Sequence, residues 1–456
     1  MAQNILDNKI ENLTDITYEC SCGKVHRVQT KKIIIEDNAL SKVYNVIKEL
    51  NLGNSTVIIA DNNTFGIAGE DLMENLRSFG MNVTASILHG NDIHADEKAL
   101  GQVFIDVDKD TDFLIAVGSG TINDIARYVS YKLDISYIII ATAPSMDGYA
   151  STVSPLMING FKKTFTASYP VAIIGDLQIL SKAPQNMIAA GFGDMMGKIT
   201  ALSDWILAKE ITGEYYCPEI VQMMLKAVRH CIDNVDGLAQ RKKSAIKGLT
   251  EGLILSGIAM QMIGNSRPAS GAEHHLAHYL EMQHFMKGQV SPLHGVKVGV
   301  TTGIIMSIYK KVFELNLSMI SIKVKNKDEI LYWNNEIHRC FGSLADEIIN
   351  ENSSNMLVPR ELENAESSLS SQIETARKQI EPLFSIVYDL KDLLKKVGGP
   401  AVPGEMAVSY NEALDAIKYA RVIRNRYTIL QLTDQIGVLN RIANEIVNAL
   451  YEGERI

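Results

Sequence analysis

Between about residues 55 and 175, short β-branched and aliphatic runs alternate with amphipathic stretches, and this alternation restricts the chain to a parallel sheet built from βαβ units. The runs are TVIIA (56–60), VTASIL (83–88), FLIAV (113–117), YIIIAT (137–142) and VAIIG (171–175). Most are apolar at every position, the pattern of strands covered by helices on both faces. Stretches near 66–79, 95–103 and 121–132 supply those helices. After Ala183-Pro184 the texture changes to long segments rich in Ala, Leu, Met, Glu and Lys, with helical spacing of apolar residues. Helices are expected over 186–211, 219–239, 243–263, 272–286, 294–315, 327–343, 360–396, 408–423 and 428–450, with GGPAVPGE at 398–405 as a loop. A chain of 456 residues exceeds one ordinary core. The fold class expected is therefore an α/β domain with a mainly parallel sheet, residues 1–183, followed by an all-α domain, residues 184–456.

Charge and composition narrow the function. A net charge of −9 with no basic stripe excludes a general attraction to nucleic acid. No apolar run approaches the ~20 residues of a membrane span, and MAQNILDNKIENLTD lacks the apolar core of an export signal, so a cytoplasmic protein is expected. The five cysteines are odd in number and irregularly spaced, which suits reduced thiols better than a disulfide framework. Cys20, Cys22 and His26, in CSCGKVH, have the look of half a zinc knuckle. A second Cys/His pair at ligand spacing is missing and Cys-Gly is good turn material, so this segment is expected to be a turn.

Three segments suit a nucleotide. Asp61 directly follows TVIIA, where a carboxylate either accepts hydrogen bonds from ribose hydroxyls or caps the next helix. In AVGSGTINDIARYVS a strand ends at Val117 and a helix begins near Thr121, with Gly118 and Gly120 in the turn. Glycines there let the backbone approach a pyrophosphate at a helix N-terminus, although the spacing is not GxGxxG. ATAPSMDGYASTVS then carries Thr142, Ser145, Asp147 and Ser151 to the carboxyl end of the sheet, where open α/β folds bind ligands.

The helical half holds the metal chemistry, in GFGDMMGK around Asp194, SGAEHHLAHYLE from His274 to His278, and LHGVKVG around His294. His274 and His278 stand four apart and project from one helix face, whereas His275 points about 100° away. A carboxylate with two imidazoles makes a three-ligand site with open positions. The adjacency of His274 and His275 leaves their roles open to exchange.

GSGTINDIARY, TAPSMDGYAS, GFGDMMGK, SRPASGAEHHLAH and LHGVKVG, in this order over about residues 40 to 310, resemble the glycerol-1-phosphate dehydrogenase family. That family sits in the larger group of glycerol dehydrogenase, iron-type alcohol dehydrogenases and dehydroquinate synthase. The resemblance implies a dinucleotide-binding first domain and a metal- and substrate-binding second one. It implies Asp194, His274 and His294 as ligands of one divalent metal, with zinc, nickel or iron unresolved. Gly118, Ser119, Gly120, Thr121, Asp124, Thr142, Ser145 and Ser151 become the dinucleotide contacts, joined by Asp61 on the ribose, with NAD(P)H as cofactor. Asp147 and His278 become substrate contacts, and Asp194 touches both substrate and metal.

The implied activity is metal-assisted, reversible reduction of a small phosphorylated ketone, dihydroxyacetone phosphate, to sn-glycerol 1-phosphate, feeding phosphoglycerolipid synthesis. A homo-oligomer, a dimer or larger, is expected, with no membrane insertion. For the phosphate, Arg267 and Lys198 lie in the right motifs, with Lys162 and Lys163 outside them. The competing assignments are a glycerol dehydrogenase acting on unphosphorylated glycerol, a dehydroquinate synthase-like sugar-phosphate cyclase and, last, a non-catalytic metal-stabilised scaffold that would bind no dinucleotide.

Overall fold

The computed structural model describes residues 9–90, 92–317, 320–356 and 366–452. Ten strands occur among them: β1 Ile16–Glu19, β2 Val25–Val28, β3 Lys32–Glu36, β4 Ser55–Asp61, β5 Asn82–Leu88, β6 Phe113–Gly118, β7 Ser136–Ala141, β8 Val153–Ile158, β9 Phe161–Thr166 and β10 Ala172–Asp176. Six of them form one parallel sheet in the order β3-β10-β7-β6-β4-β5, and β1-β2 and β8-β9 are separate antiparallel hairpins. β6 and β10 are buried at every position, as their apolar runs FLIAVG and AIIG require, with Asp176 at the end of β10 buried as a cap.

Helices α1 Val43–Glu49, α2 Glu70–Ser78, α3 Glu97–Asp106 and α4 Gly120–Leu133 cover the sheet. Alternation along β4 decides which residue meets which layer. Ile58 and Ala60 join Leu72 and Leu76 of α2 in one core, while Val57 and Ile59 join Ile122, Ile125 and Val129 of α4 in the other. The chain runs from β4 to its neighbour β5 and then returns to β6 on the far side of β4. The strand order therefore reverses between β4 and β6, and α2 and α4 leave that point on opposite faces. A crevice at the carboxyl ends of such a pair is where doubly wound sheets take ligands.

The helical half begins with α5 Gln185–Thr212, α6 Pro218–Asp233, α7 Lys243–Ile263, α8 Ala272–Met286 and α9 His294–Phe313, and further helices continue to Glu452. No helix among the described residues is long and apolar enough to cross a membrane. The crossing of α5 and α9 is built on glycines. A Cβ on Gly193 would fall on the carbonyl oxygen of Gly295, one on Gly295 would fall on the carbonyl of Ala190, and one on Gly299 would lie 2.9 Å from the Gly193 Cα. Only hydrogen at these positions lets the two backbones touch.

The five expected strands are all present, and so is the helical second half. The sixth strand, β3, and both hairpins went unread in the sequence. The expected helix 219–239 breaks at Asn234. The one expected over 360–396 runs as Glu366–Phe384 and Leu390–Lys396, with 360–365 outside the described residues.

Candidate active site

A cleft of about 380 Å³ opens at the carboxyl edge of the sheet, between it and α8 and α9. Ser119, Gly120, Thr121 and Asp124 line it from the β6–α4 turn, and Ser145, Asp147 and Ser151 from the segment after β7. His274, His278 and His294 line it from the helical half. Gly118 lies one step behind the wall. A side chain there would come within 2.7 Å of Ile122, so glycine is what lets the first turn of α4 fold back against its strand. Thr142 is buried, and its backbone N–H donates to the Gly118 carbonyl at 3.1 Å, tying the two loops together. Asp61 stands at the end of β4 beside the strand-order reversal but away from this cleft. Its carboxylate accepts the N–H groups of Asn63 and Thr64, both at 2.8 Å, in a capping box.

Asp194, His274 and His294, from α5, α8 and the first residue of α9, bring one ligand atom each within 4.8 Å of one another. His274 Nε2 lies 3.6 Å from Asp194 Oδ1. The glycine crossing explains the meeting, because Asp194 immediately follows Gly193 and His294 immediately precedes Gly295. Of the two adjacent histidines, His274 faces the cluster. His275 is buried on another side of α8, with neither ring nitrogen hydrogen-bonded among the described residues and Arg424, Arg426 and Arg267 nearby.

Two carboxylates orient the rings. Glu273 Oε1 accepts from His274 Nδ1 at 2.7 Å, and Glu281 accepts from His294 Nδ1 at 2.8 Å and His278 Nδ1 at 3.1 Å. Because Arg424 is always a donor, its 3.3 Å contact to His278 Nε2 fixes that nitrogen as the acceptor and Nδ1 as the protonated one. The Nε2 atoms of His274 and His294 are thereby left free to face inward, the arrangement in which imidazoles bind a metal. Burial, reinforced by Lys162, holds His278 well below the usual imidazole range. Burial also lowers His294. It would do the same to His274, but hydrogen bonds to Asp194 and Glu273 outweigh it and raise that group. Burial alone would raise Asp194. Lys198 and His274 overcome it and keep the carboxyl ionised. One carboxylate and two imidazoles, with open space beside them, fit a divalent cation that must also receive substrate, and His274 would give up its Nε2 proton to bind it.

Lys198 is fully buried between Asp147 Oδ2 at 2.6 Å and Asp194 Oδ1 at 2.9 Å, with a third bond to the Ala269 carbonyl at 3.0 Å. Asp147 N–H donates to Asp194 Oδ2 at 2.9 Å, and Ser256 donates to Asp147 Oδ2 at 2.8 Å. Arg267 is held by Glu214 at 2.6 Å and by the Tyr427 carbonyl at 2.9 Å. Neither of the two in-motif cations expected for a phosphate thus faces the cleft, because each is bonded to carboxylates or carbonyls behind it. Lys163 pairs with Glu347. The cations lining the cleft are Arg127, Lys162, Lys297 and Arg424, and Arg127 is paired with Asp124 at 3.0 Å. Lys162 lies 2.6 Å and Lys297 3.4 Å from Glu281, whereas Arg424 has no carboxylate within ion-pair distance among the described residues and touches Ser270 and Thr164 hydroxyls at 3.1 and 3.4 Å. Sequence reading missed Glu273, Glu281 and Arg424. The two glutamates sit inside or beside a histidine-rich segment, a signal that was present. Arg424 carries none.

The sequence matches a family described as iron-containing alcohol dehydrogenase over residues 34–184. It is 37% identical over 330 residues to a glycerol-1-phosphate dehydrogenase [NAD(P)+] of Geobacillus thermodenitrificans, covering 72% of this chain and 81% of the relative. It is 32% identical over 448 residues to the enzyme of the same name from Bacillus subtilis, covering 98% of this chain and 100% of the relative. Among solved structures, glycerol dehydrogenase from Schizosaccharomyces pombe superposes with a TM-score of 0.56 at 17% identity, covering 93% of this chain and 92% of that one, a likeness of fold.

Proposed function

We infer that this chain, which belongs to the glycerol-1-phosphate dehydrogenase family, uses NAD(P)H to reduce dihydroxyacetone phosphate to glycerol 1-phosphate and runs the reverse oxidation. The observation that carries the reading to this molecule is the meeting of Asp194, His274 and His294 in the same cleft as the β6–α4 turn and Arg424. Asp194, His274 and His294 hold the divalent cation. Ser119 to Thr121 and the segment from Ser145 to Ser151 hold the dinucleotide, with the N-terminus of α4 toward its pyrophosphate. When bound, the cation supplies positive charge at the carbonyl oxygen and the reduced nicotinamide supplies the hydride.

The protein's own groups set the rest. Glu273 and Glu281 keep Nε2 of both ligand rings pointed inward. Lys198 and Ser256 occupy Asp147 Oδ2, so its other oxygen is left to accept a substrate hydroxyl. His278, neutral and with its Nε2 accepting from Arg424, lines the substrate side of the cleft and is a poor acid. The proton for the product oxygen therefore arrives through water, and one hydride, one proton and one ketone give one alcohol. Arg424 takes the phosphate, because it is the cleft cation without a carboxylate partner among the described residues. The ion is zinc or nickel, with iron the further possibility for this donor set. We place the enzyme in the cytoplasm, in keeping with its unpaired thiols, and as a homo-oligomer.

Nicotinamide absorbance followed with dihydroxyacetone phosphate, and separately with unphosphorylated dihydroxyacetone, tests the reading after metal removal and reloading. Turnover confined to the phosphorylated ketone is expected. Equal turnover of both ketones would favour a glycerol dehydrogenase, and no net change in absorbance would favour a cyclase.

A further inference from the structure

A second group of metal-ligating side chains lies outside the cleft. The CSCGKVH segment is a turn, as expected, with Gly23 at φ +84° between β1 and β2 and its N–H on the Cys20 carbonyl at 3.0 Å. The partner missing from the local sequence comes from far along the chain. Cys217, the residue before α6, packs against the turn, so that Cys20, Cys22, His26 and Cys217 bring one ligand atom each within 4.8 Å of one another.

We propose that these four residues bind a structural zinc ion that fastens the β1-β2 hairpin to the helical half of the protein. Cys20 Sγ lies 3.6 Å from Cys217 Sγ, Cys22 Sγ lies 3.4 Å from His26 Nε2, and Cys217 Sγ lies 3.5 Å from His26 Nε2. Bond lengths of about 2.3 Å to sulfur and 2.0 to 2.1 Å to nitrogen, at tetrahedral angles, separate neighbouring ligand atoms by about 3.5 to 3.8 Å, so one ion fits at the centre. The imidazole is already aimed. His26 Nδ1 is bonded to the Met262 carbonyl at the end of α7, 2.8 Å away, which makes Nδ1 the protonated nitrogen and leaves the Nε2 lone pair facing the sulfurs. Tyr215 Oη lies 3.0 Å from Cys22 Sγ and is placed to donate to a thiolate. Against burial, which disfavours thiolates, the backbone N–H groups of Cys22, Lys24 and Ile220 favour the ionised forms of Cys20, Cys22 and Cys217 respectively.

Three thiolates and an imidazole leave no coordination position for substrate, and Cys20, His26 and Cys217 are buried. The site is therefore closed and structural in type. It has work to do at that place. The hairpin is two four-residue strands that pair only with each other among the described residues; Val28, Ile16 and Tyr18 reach the apolar core, and polar bonds such as Ser21 N–H to Glu219 at 3.1 Å and Gln29 N–H to Gln261 at 2.9 Å join it to the helical half.

The full-length protein, purified under reducing conditions, decides the matter by metal analysis. Extended chelation that strips the cleft is expected to leave about one zinc per chain, and Cys217→Ser and Cys22→Ser to lose it, while Cys231→Ser, at a buried cysteine elsewhere, keeps it. Cobalt exchanged into the wild-type protein should develop sulfur-to-cobalt charge transfer and the intense visible bands of a tetrahedral ion, a readout that needs no folded variant. Wild-type protein that holds no zinc after chelation and develops no sulfur-to-cobalt band would overturn the proposal. So would a Cys20–Cys217 disulfide in the reduced preparation.

Discussion

At the cleft three side chains able to bind a metal arrive from three helices, one of them a carboxylate, and space remains beside them; at the hairpin three sulfurs and one imidazole close around a point and leave none. In both places an imidazole is aimed through its Nδ1, but the receiving groups differ. Glutamates hold the cleft rings, whereas a backbone carbonyl holds His26. Either partner orients the ring and raises its basicity, but a carboxylate also adds a negative charge beside the cation, and a carbonyl does not. Donor type and the number of open positions thus separate a cation used in chemistry from one used in construction.

The contrast is most open to attack at Asp194. Asp194→Asn should lower kcat/KM by about a hundred- to a thousandfold, the scale set by losing one preorganised stabilising group in a water-poor site, while circular dichroism and zinc at the cysteine cluster stay unchanged. Full activity in that variant would sink the assignment of the cleft. Glu281→Gln should loosen the cleft cation by roughly 10- to 100-fold in a metal titration without touching the other site, and equal loosening of both would erase the distinction drawn here. Arg424→Ala should raise KM for the phosphorylated ketone about tenfold or more, because a charge-assisted bond of roughly 1.5 to 3 kcal/mol is lost. Kinetics with unphosphorylated dihydroxyacetone should not respond.

The smallest effect concerns Asp124. Burial lifts its carboxyl to about 6, against the opposing pull of Arg127 and Lys162. A value above the ordinary one means that the fold favours the protonated acid, so the stability this group contributes is complete at low pH and is lost as pH rises through about 6. The same ionisation places a negative charge in the wall of the cleft next to the pyrophosphate turn. KM for the dinucleotide should therefore rise a few-fold between pH about 5 and about 7. Asp124→Asn should flatten that profile, and an unchanged slope in the variant would remove Asp124 from the cofactor wall.

Much of this was legible in the residue string because helix and strand periods are local. The runs from TVIIA to VAIIG mark five of the six sheet strands, and HHLAH assigns His274 and His278 to one face of α8. β3 escaped because KIIIE is short and flanked by charges, and it becomes a strand only by pairing with β10, far along the chain. Arg424 looks like any surface arginine until the late helices fold over the cleft. Cys217 shows the limit most sharply. Its spacing to Cys22 is set by the whole sheet that folds between them, so no local ligand pattern records it. Arg267 and Lys198 misled for the opposite reason, since membership of a motif is visible in sequence and the direction a side chain faces is not.

The backbone contact between Gly193 and Gly295 has a further consequence. A junction made of bare main chain has no rotamers to adjust, so the separation of Asp194 from His294 behaves like a machined tolerance. Variation among relatives in the preferred ion should then accumulate in the carboxylates behind the imidazoles. A methyl group added at either glycine would act as a shim, forcing the axes apart and detuning the site without altering any residue that touches the cation.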